Sequence, residues 1–328
     1  MLLLSLGCAA QELRVYAIDV EGGKSTLYIS PSGESMLVDA GYDGNGGRDA
    51  ERIAAAAREA GVKQIDYLVI THYHGDHFGG VAQLAGRLPI RNFVDHGPNF
   101  ETVKDVGRLF ETYTALRARG NHIVVKAGDR IPIQGMQVDV VSSAGIPIAK
   151  SLAGGGTPNA LCANYLPIKD DTGENSRSIG VVVTLGRFRL SDLGDLYWNQ
   201  EGDLACPNNR IGTVDVYMTT HHAKRTSGAP ALVQAMRPRA AIMNNGPDTG
   251  AAETHWETIA QSPGHPDIWQ LHYATNNARK YNAPKAMIAN LDGKECSGRG
   301  ILLSAKPDGA FLIRNLRTSK EKHYAARP

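Results

Sequence analysis

The sequence lacks the features that mark several classes of protein. It contains no run of 18 or more apolar residues, so we expect no hydrophobic helix that spans a membrane. Neither sign of charge dominates: 35 Lys and Arg residues against 33 Asp and Glu residues give a net charge of +2, which provides no general attraction for nucleic acid. Phe is scarce, at 6 residues, whereas the 36 Gly residues are typical of a fold with many turns. A hydrophobic share of 42% is enough for a packed core and excludes a wholly disordered chain.

The first ten residues have the pattern of an export signal. Residues 1–10 form an apolar stretch that ends in small residues, and the polar Gln11 follows. Cleavage after Ala10 is one interpretation, and lipoprotein-type processing with acylation of Cys8 is another. A short apolar tail that packs on the body of the protein is the third. We expect the chain to be exported, and to be periplasmic, extracellular or lipid-anchored.

Cysteine is rare, and the four that occur are widely spaced: Cys8, Cys162, Cys206 and Cys296. If Cys8 is removed or acylated, an oxidising compartment permits one disulfide and one free thiol among the remaining three. The spacing carries no zinc-finger signature and does not determine the pairing.

Strand patterns and helix patterns alternate along the chain. The apolar run 67–71 predicts a strand buried on both faces, and the apolar stripe of 50–60 predicts a helix. This alternation favours an α/β fold of two mixed sheets covered by helices. We expect one domain over residues 11–316 and a basic, solvated C-terminal tail at 317–328. The long irregular stretch 152–175 is typical of a functional or mobile loop.

A group of metal-binding side chains follows the predicted buried strand. His72, His74, Asp76 and His77 place four ligand-type residues within six positions. Residues two apart in an extended segment point the same way, so His72 and His74 are predicted to bind one cation. Asp76 and His77 follow a turn and are predicted to bind a second. Imidazole and carboxylate together suit Zn²⁺, with Mn²⁺ or Fe as alternatives, so the sequence predicts a centre of two metal ions.

The segment His72-x-His74-x-Asp76-His77 resembles the signature of the metallo-β-lactamase-fold hydrolases. Further segments resemble, in order and spacing, motifs of the subgroup that includes the hydrolase part of bacterial DNA-uptake channel proteins. They are Ile18–Lys24, Leu37–Gly41, Asn175-x-x-Ser178 followed by Leu193-Gly194-Asp195, and Thr220–Ser227. The resemblance extends over residues 13–275. It implies an α/β fold in the form of a four-layer αββα sandwich, in which two mixed β-sheets are flanked by helices.

Later segments are predicted to complete the metal centre. Two neighbouring dications need a shared anion, and the carboxylate of Asp195, after a Gly-Asp step, is predicted to bridge them. Asp192 is a rival that lacks the preceding glycine. His221 is predicted to complete the second metal site, which leaves His222 to contact the substrate or to protonate the leaving group. The sequence also allows the two histidines to exchange these roles.

Two further residues are candidates near the centre. Many members of the family place another His on the first metal, but residues 137–148 contain none. His96 is therefore a candidate extra ligand or substrate contact, and His122 is a second candidate. A strand-end histidine with a satisfied hydrogen bond is the interpretation of His96 that the sequence favours. Asp39 is expected behind a ligating imidazole, as the acceptor for its other nitrogen, with a plain turn role as the alternative.

The resemblance implies a metal-dependent hydrolase in which a hydroxide generated at the two-metal site attacks a phosphorus or carbonyl centre. Asp76 is expected to orient this hydroxide. The DNA-uptake subgroup favours a phosphodiester or related phosphoester, although the near-neutral charge provides no strong nucleic-acid signature. A lactam, lactone or thioester is the alternative among hydrolases. A non-catalytic binding module and a diiron redox protein are alternatives of another class. The sequence does not determine the oligomeric state.

Overall fold

A computed structural model describes residues 12–101, 103–293 and 296–328. Cys8 and the export signal predicted at residues 1–10 lie outside the described residues. None of the described helices combines the length and apolarity that a membrane span requires.

Two large mixed sheets form the centre of the described chain. The first sheet has the strand order β20 (Glu321–Tyr324), β19 (Phe311–Asn315), β18 (Ile301–Ala305), β1 (Leu13–Ala17), β2 (Thr26–Ile29), β3 (Ser35–Val38), β4 (Ile65–Val69), β5 (Ile90–Asp95) and β6 (Asn121–Val124). The second has the order β17 (Ile288–Asn290), β16 (Asp267–His272), β15 (Ala240–Met243), β14 (Val216–Met218), β12 (Phe188–Asp192), β11 (Gly180–Leu185), β8 (Gln137–Ser143) and β7 (Arg130–Ile131), with β9 (Ile146–Pro147) beside β8. A separate short pair joins β10 (Thr157–Pro158) to β13 (Asn208–Asn209).

Helices cover the outer face of each sheet, which gives the four-layer αββα sandwich that the resemblance implies. The helices are α1 (Arg48–Ala60), α2 (Gly75–Phe78), α3 (Val81–Ala85), α4 (Lys104–Arg117), α5 (Trp198–Ala205), α6 (Pro230–Met236) and α7 (Glu253–Ala260). Side chains such as Val15 and Trp269 fill the core between the sheets. A second core lies under α1, α3 and α4, and a third lies under α5, α6 and α7. Three apolar layers therefore hold four layers of secondary structure together.

The strand directions bring one edge of each sheet to the same place. Strands β3, β4 and β5 run parallel in the first sheet, and β12, β14, β15 and β16 run parallel in the second. The carboxyl ends of parallel strands lie at one edge, where ligand-binding loops of α/β proteins collect. The segments with the predicted metal ligands follow β4, β12 and β14.

Several predicted elements differ from the observed ones. The sequence pattern of residues 100–119 predicts a helix from Phe100, but α4 begins at Lys104. The backbone N–H of Phe100 donates to the Glu174 carboxylate and is held outside the helix. Strand β16 is not predicted from the sequence, because the polar Gln270 and His272 are as fully buried in it as the apolar Trp269. Its pattern therefore lacks the alternation that marks a strand.

The basic C-terminal segment is not a solvated tail, so that prediction is wrong. Residues 321–324 form β20, which pairs antiparallel with β19. Tyr324 stacks on Phe311 with ring centroids 4.2 Å apart, and its hydroxyl donates to Asp267 at 2.8 Å. Lys322 and His323 are exposed and Tyr324 is buried, so a segment with a basic composition can still form an edge strand.

A disulfide joins Cys162 to Cys206, and Cys296 is a buried free thiol. The bond attaches the irregular stretch 152–175 to the end of α5. The same stretch contributes β10 to the small two-stranded sheet. Part of the predicted loop is therefore fixed to the second layer of helices.

Candidate metal centre

The first group of candidate ligands follows β4 at the edge of the sheet. His72 comes three residues after the end of the strand, His74 has an extended backbone, and the short helix α2 that follows contains Asp76 and His77. Gly79 and Gly80 then allow the chain to pack tightly, because a Cβ atom at Gly80 would lie 2.2 Å from the carbonyl oxygen of Ala40. The glycine pair thus permits the close turn after the ligand segment.

Four of the predicted residues converge on one point. Asp76, His77, Asp195 and His222 each offer a ligand atom, and these atoms lie within 4.8 Å of one another. Oδ2 of Asp195 is 3.2 Å from Nε2 of His77 and 3.2 Å from Nε2 of His222. Oδ2 of Asp76 is 3.4 Å from Nε2 of His222. Side chains from both sheets are therefore close enough to share a cation.

The hydrogen bonds behind the two imidazoles set their tautomers. Nδ1 of His77 lies 2.8 Å from Oδ2 of Asp39, and Nδ1 of His222 lies 3.2 Å from the carbonyl oxygen of Asn244. Because these oxygens accept, each Nδ1 donates, and each neutral ring has its lone pair on Nε2. The two Nε2 atoms face each other at 3.3 Å. In the neutral rings, both lone pairs therefore point into the same small space.

The donor set fits a divalent cation. Oδ1 of Asp195 is buried and has no hydrogen-bond partner among the described residues. Two imidazole lone pairs and two carboxylates are the ligands that Zn²⁺ and related metals accept. Burial by itself lowers the pKa of His77, but the carboxylates of Asp195, Asp39 and Asp76 outweigh it and raise that pKa well above its ordinary value. The site therefore attracts positive charge.

A second group of nitrogens lies beside the first. Nε2 of His72 is 3.0 Å from Nδ1 of His74, and Nε2 of His221 is 3.6 Å from Oδ2 of Asp195. Burial and the neighbouring His77 hold the pKa of His72 well below its usual value, which keeps the ring neutral. Burial likewise lowers the pKa of His221, to about 3. Neutral imidazoles are the form that binds metals.

Hydrogen bonds also orient this second group. Nδ1 of His72 contacts Thr71 Oγ1 at 3.1 Å and Ser178 Oγ at 3.3 Å. Nε2 of His74 lies 3.3 Å from Oε2 of Glu101. Nδ1 of His221 lies 3.1 Å from Thr226 Oγ1. In each ring one nitrogen has such a partner. The other nitrogens of His72 and His74 face each other, and that of His221 faces Asp195, so an ion between them would find each ring already oriented.

An unusual turn brings the paired histidines into position. His221, His222 and Ala223 have φ angles of 51°, 52° and 60°, a left-handed conformation that non-glycine residues rarely adopt. The backbone N–H of His221 donates to the carbonyl oxygen of Gly194 at 3.0 Å. This bond joins the turn directly to the Gly-Asp step that carries Asp195. Such strain is concentrated at functional sites.

The structure exchanges the predicted positions of the paired histidines. His222, predicted to contact the substrate, has its Nε2 inside the cluster with Asp76, His77 and Asp195. His221, predicted to complete that site, lies at the side of Asp195. The reason is the left-handed turn, which directs consecutive side chains differently from the extended segment that the sequence suggests.

Two candidates lie outside the cluster. The rival Asp192 is paired with the buried ammonium of Lys24 and accepts from the Tyr28 hydroxyl at 2.9 Å. Nε2 of His96 is 3.0 Å from Oε2 of Glu174, and the candidate ligand group does not include it. His122 is paired with the Asp95 carboxylate at 2.9 Å. These side chains support the framework around the centre.

Sequence reasoning missed three buried residues that position the centre. Lys24 balances the negative charge of Asp192, and Asn244 orients His222. Glu174 accepts from the backbone N–H groups of Tyr73 and Phe100, and so holds the chain on both sides of the ligand segment. A Gly-Gly-Lys sequence was the only signal for Lys24. Glu174 lies in an irregular stretch with no distinguishing pattern.

The site is closed on most sides and open on one. The side chains of His77, Asp195 and His222 are at most 2% exposed. The side chain of Asp76 is 19% exposed and that of His74 is 29% exposed. Water and substrate therefore reach the centre past His74 and Asp76.

Comparison with protein families identifies the Metallo-beta-lactamase superfamily, whose profile matches residues 18–158. Among curated proteins, the chain is 38% identical over 65 residues to a UPF0173 metal-dependent hydrolase of Staphylococcus saprophyticus, covering 20% of this chain and 25% of that protein. It is 23% identical to Recombination protein 2 of Haemophilus influenzae, covering 71% of this chain and 24% of that protein. It is 24% identical to ComE operon protein 3 of Bacillus subtilis, covering 79% of this chain and 31% of that protein. The chain spans less than a third of the length of each of these relatives.

Proposed function

We propose that the chain, whose residues 18–158 match the Metallo-beta-lactamase superfamily, is a metal-dependent hydrolase that acts on a phosphodiester or related phosphoester. The observation that carries the proposal is the convergence of Asp76, His77, Asp195 and His222, with lone pairs and carboxylates directed at one point. A relative that is similar over 65 residues is named a metal-dependent hydrolase, which supports the reaction class.

Two Zn²⁺ ions are the cofactor that we propose, with Mn²⁺ or Fe as alternatives. Asp76, His77 and His222 would hold one ion, and Asp195 would be shared with the other. His72, His74 and His221 are the candidate ligands of that second ion. Such ions, when bound, lower the pKa of water to near neutrality and polarise the oxygen of the substrate.

The residues of the chain position the reactants. Asp76 is the most exposed member of the cluster, so its carboxylate is suited to accept a hydrogen bond from the attacking water. The carboxylate of Asp39 accepts a hydrogen bond from Nδ1 of His77, and the backbone carbonyl of Asn244 accepts one from Nδ1 of His222. These bonds keep both rings in the tautomer whose Nε2 can bind a metal. The apolar and hydrogen-bonded surroundings fix this arrangement before the substrate arrives, which reduces the reorganisation needed in the transition state.

Local positive charge supports a phosphoester substrate. The Lys224 ammonium is close enough to His221 to contribute to the lowering of its pKa, and Arg225 beside it is exposed. Cationic side chains next to a metal centre suit the oxygens of a phosphoryl group. The names Recombination protein 2 and ComE operon protein 3 belong to relatives of the subgroup for which we expect phosphodiester cleavage. A lactam, lactone or thioester substrate remains the alternative among hydrolases.

A substrate panel with metal-loaded protein tests the proposal. We expect hydrolysis of bis-p-nitrophenyl phosphate, abolished by Asp195→Asn, with little turnover of a cephalosporin, an acyl lactone or a thioester. Arg225→Gln should raise the KM for the phosphodiester more than it lowers kcat, because the guanidinium binds rather than reacts. Turnover of the cephalosporin, the lactone or the thioester alone would contradict the phosphoester assignment.

Elemental analysis distinguishes the proposed hydrolase from the two alternatives of another class, the diiron redox protein and the non-catalytic binding module. Two equivalents of zinc per chain together with turnover support the hydrolase. Iron with a coloured spectrum and no turnover of any substrate in the panel would instead indicate a diiron redox protein. Metal without turnover on any substrate of the panel would indicate a binding module.

We also propose that the protein works outside the cytoplasm. The Cys162–Cys206 disulfide supports an oxidising compartment. Cell fractionation of a producing strain, with the mass of the mature N-terminus, tests this proposal. Recovery of the full-length chain from the cytoplasm would contradict it.

A further inference from the structure

A second group of metal-binding side chains lies at the same edge of the sandwich, beyond the candidate centre. Asp19 follows β1 in the first sheet, His272 ends β16 in the second, and Cys296 comes from the segment after β17. A ligand atom from each lies within 4.8 Å of the others, and all three residues are buried. None of them takes part in the proposed hydrolysis.

The donor atoms of this group lie close together, at hydrogen-bond distances or slightly farther apart. Nε2 of His272 is 2.6 Å from Oδ1 of Asp19, and Sγ of Cys296 is 3.0 Å from Oδ2 of Asp19. Sγ of Cys296 is also 3.8 Å from Nε2 of His272 and 3.7 Å from Oε1 of Glu21. Tetrahedral zinc with ordinary bond lengths separates its donor atoms by roughly 3.3–3.6 Å. The observed separations extend on both sides of that value.

The surroundings contain the supporting contacts that metal ligands need. Nη1 of Arg52 donates to Oδ2 of Asp19 at 2.9 Å, and Nη2 of Arg52 donates to Oε1 of Glu21 at 3.0 Å. The backbone N–H of Gly298 donates to Sγ of Cys296 at 3.4 Å. Such contacts orient carboxylates and stabilise a thiolate. A cavity of about 360 Å³, lined partly by Ile18, Arg52 and Gly298, lies next to this group along the chain.

We propose that Cys296, His272 and Asp19 form a three-ligand zinc site that is separate from the two-metal centre, with the fourth position left to water. A thiolate, an imidazole and a carboxylate suit Zn²⁺ better than Ca²⁺ or Mg²⁺, which take oxygen ligands. Metal binding would release the proton of the thiol and join β1 to β16, and thus one sheet to the other. Arg52 would stay hydrogen-bonded to Oδ2 of Asp19, which leaves Oδ1, the oxygen next to His272, for the ion.

The rival explanation is a metal-free polar cluster. Arg52 pairs with Asp19, and Arg48 pairs with Glu21, so a neutral thiol and a neutral imidazole leave the cluster without net charge. Burial and the neighbouring Asp19 raise the pKa of Cys296 to about 12, which argues against a free reactive thiolate. Nδ1 of His272 is buried without a described partner in either arrangement, so the test has to come from the metal content and from the thiol.

Cobalt substitution distinguishes these explanations, because only a cysteine ligand produces a thiolate-to-cobalt charge-transfer band. The two-metal centre contains no cysteine, and Cys162 and Cys206 are joined to each other. We expect the full-length protein to show the band on titration with Co²⁺ and to bind three zinc equivalents rather than two. Cys296→Ser should lose the band and one equivalent of zinc, whereas the control Cys8→Ser should retain both.

Two more variants keep the test decisive. Asp195→Asn should disturb the two-metal centre and keep the charge-transfer band, so failure of the proposed hydrolase and failure of this site are distinguishable. If Cys296→Ser does not fold, His272→Gln retains the thiol and should shift or weaken the band. Absence of the band in the wild-type protein at saturating Co²⁺, or an unchanged zinc content in a folded Cys296→Ser variant, would overturn the proposal.

Discussion

At the scale of the residue, the environment of each imidazole determines which nitrogen can bind a metal. The carboxylate of Asp39 and the carbonyl oxygen of Asn244 each accept a proton from an Nδ1 atom, so Nε2 is free in His77 and His222. His221 has a comparable bond to Thr226, but its Nε2 approaches only the edge of the cluster, at 3.6 Å from Asp195. The neighbouring histidines are thus expected to differ in their importance for metal binding.

Replacing His222 by Gln should remove about one metal equivalent per chain and lower hydrolysis more than about 100-fold, because an inward ligand atom is lost. His221→Gln should retain more metal, since its Nε2 is farther from Asp195. Metal analysis after dialysis and initial rates measure both effects. His323→Gln, at an exposed position, is the matched control. Greater metal loss in His221→Gln than in His222→Gln would refute the assignment.

A buried carboxyl group away from the centre predicts a pH dependence of stability. Oε2 of Glu201 accepts from the backbone N–H of Ala229 at 2.7 Å, whereas Oε1 has no described partner. Burial raises the pKa of Glu201 to about 8. The folded state therefore binds a proton that the unfolded state releases between its ordinary pKa and pH 8. The contribution of this group to stability is present at low pH and is lost as the pH rises through that window.

Glu201→Gln should flatten this dependence, because the amide stays neutral. We expect the variant to gain stability relative to the wild-type protein between pH 5 and pH 8.5, by roughly 1.4 kcal/mol for each pKa unit of the shift at most. Urea unfolding at both pH values measures the difference. Glu59→Gln, at an exposed position, should show no such trend. A constant difference at the two pH values would contradict the prediction.

At the scale of the element, short segments outside regular structure do most of the positioning. The left-handed turn of residues 221–223 presents His222, and the stretch 152–175 supplies Glu174 through residues that follow the disulfide. Side chains of that stretch also reach α5 and α6: Asn159 donates to the carbonyl oxygens of Ala205 and Ala231. The disulfide thus restrains a segment whose far end contacts the ligand loop.

The double variant Cys162→Ser, Cys206→Ser should be less stable than the oxidised wild-type protein by about 2–4 kcal/mol, because the unfolded chain gains freedom. Protease cleavage within residues 152–175 should also become faster. Thermal unfolding and limited proteolysis measure the two effects. Wild-type protein treated with a reductant should behave as the double variant does. Equal stability with and without the disulfide would show that the segment is held by its hydrogen bonds alone.

At the scale of the whole molecule, the candidate centre joins the two halves of the sandwich. His72, His74, Asp76 and His77 follow a strand of the first sheet, whereas Asp195, His221 and His222 follow strands of the second. In the absence of cations, carboxylates and imidazoles from both halves must share one small space. Metal binding is therefore expected to stabilise the packing of the two sheets against each other as well as to supply the reactive site.

Removal of metal should lower the unfolding temperature of the whole protein. A ligand at 100 times its dissociation constant stabilises the folded state by about 2.7 kcal/mol, which corresponds to a shift of several degrees in a chain of this size. Differential scanning calorimetry with and without a chelator measures the shift. Asp195→Asn should lose most of it. An unfolding temperature of the wild-type protein that does not respond to the chelator would argue against a bound metal.

The sequence by itself determined much of the architecture. Buried strands such as Ile65–Val69 and the amphipathic helix Arg48–Ala60 follow from hydrophobic periodicity, which is a local property of the chain. The dense spacing of His72, His74, Asp76 and His77 predicts a metal site because few other arrangements need those side chains together. Their role as ligands stays a prediction.

Only the tertiary structure decided which distant residues meet. The order of His221 and His222 depends on a strained turn, and the pairing of Lys24 with Asp192 joins residues 168 positions apart. Strand β16 and the C-terminal β20 were also not predicted. The polar residues of β16 are buried by neighbouring strands, and β20 is an edge strand that forms by pairing with β19. Hydrophobic periodicity shows which positions of a segment are buried and which are exposed to water. Side-chain partners and backbone strain depend on the packing of the complete chain.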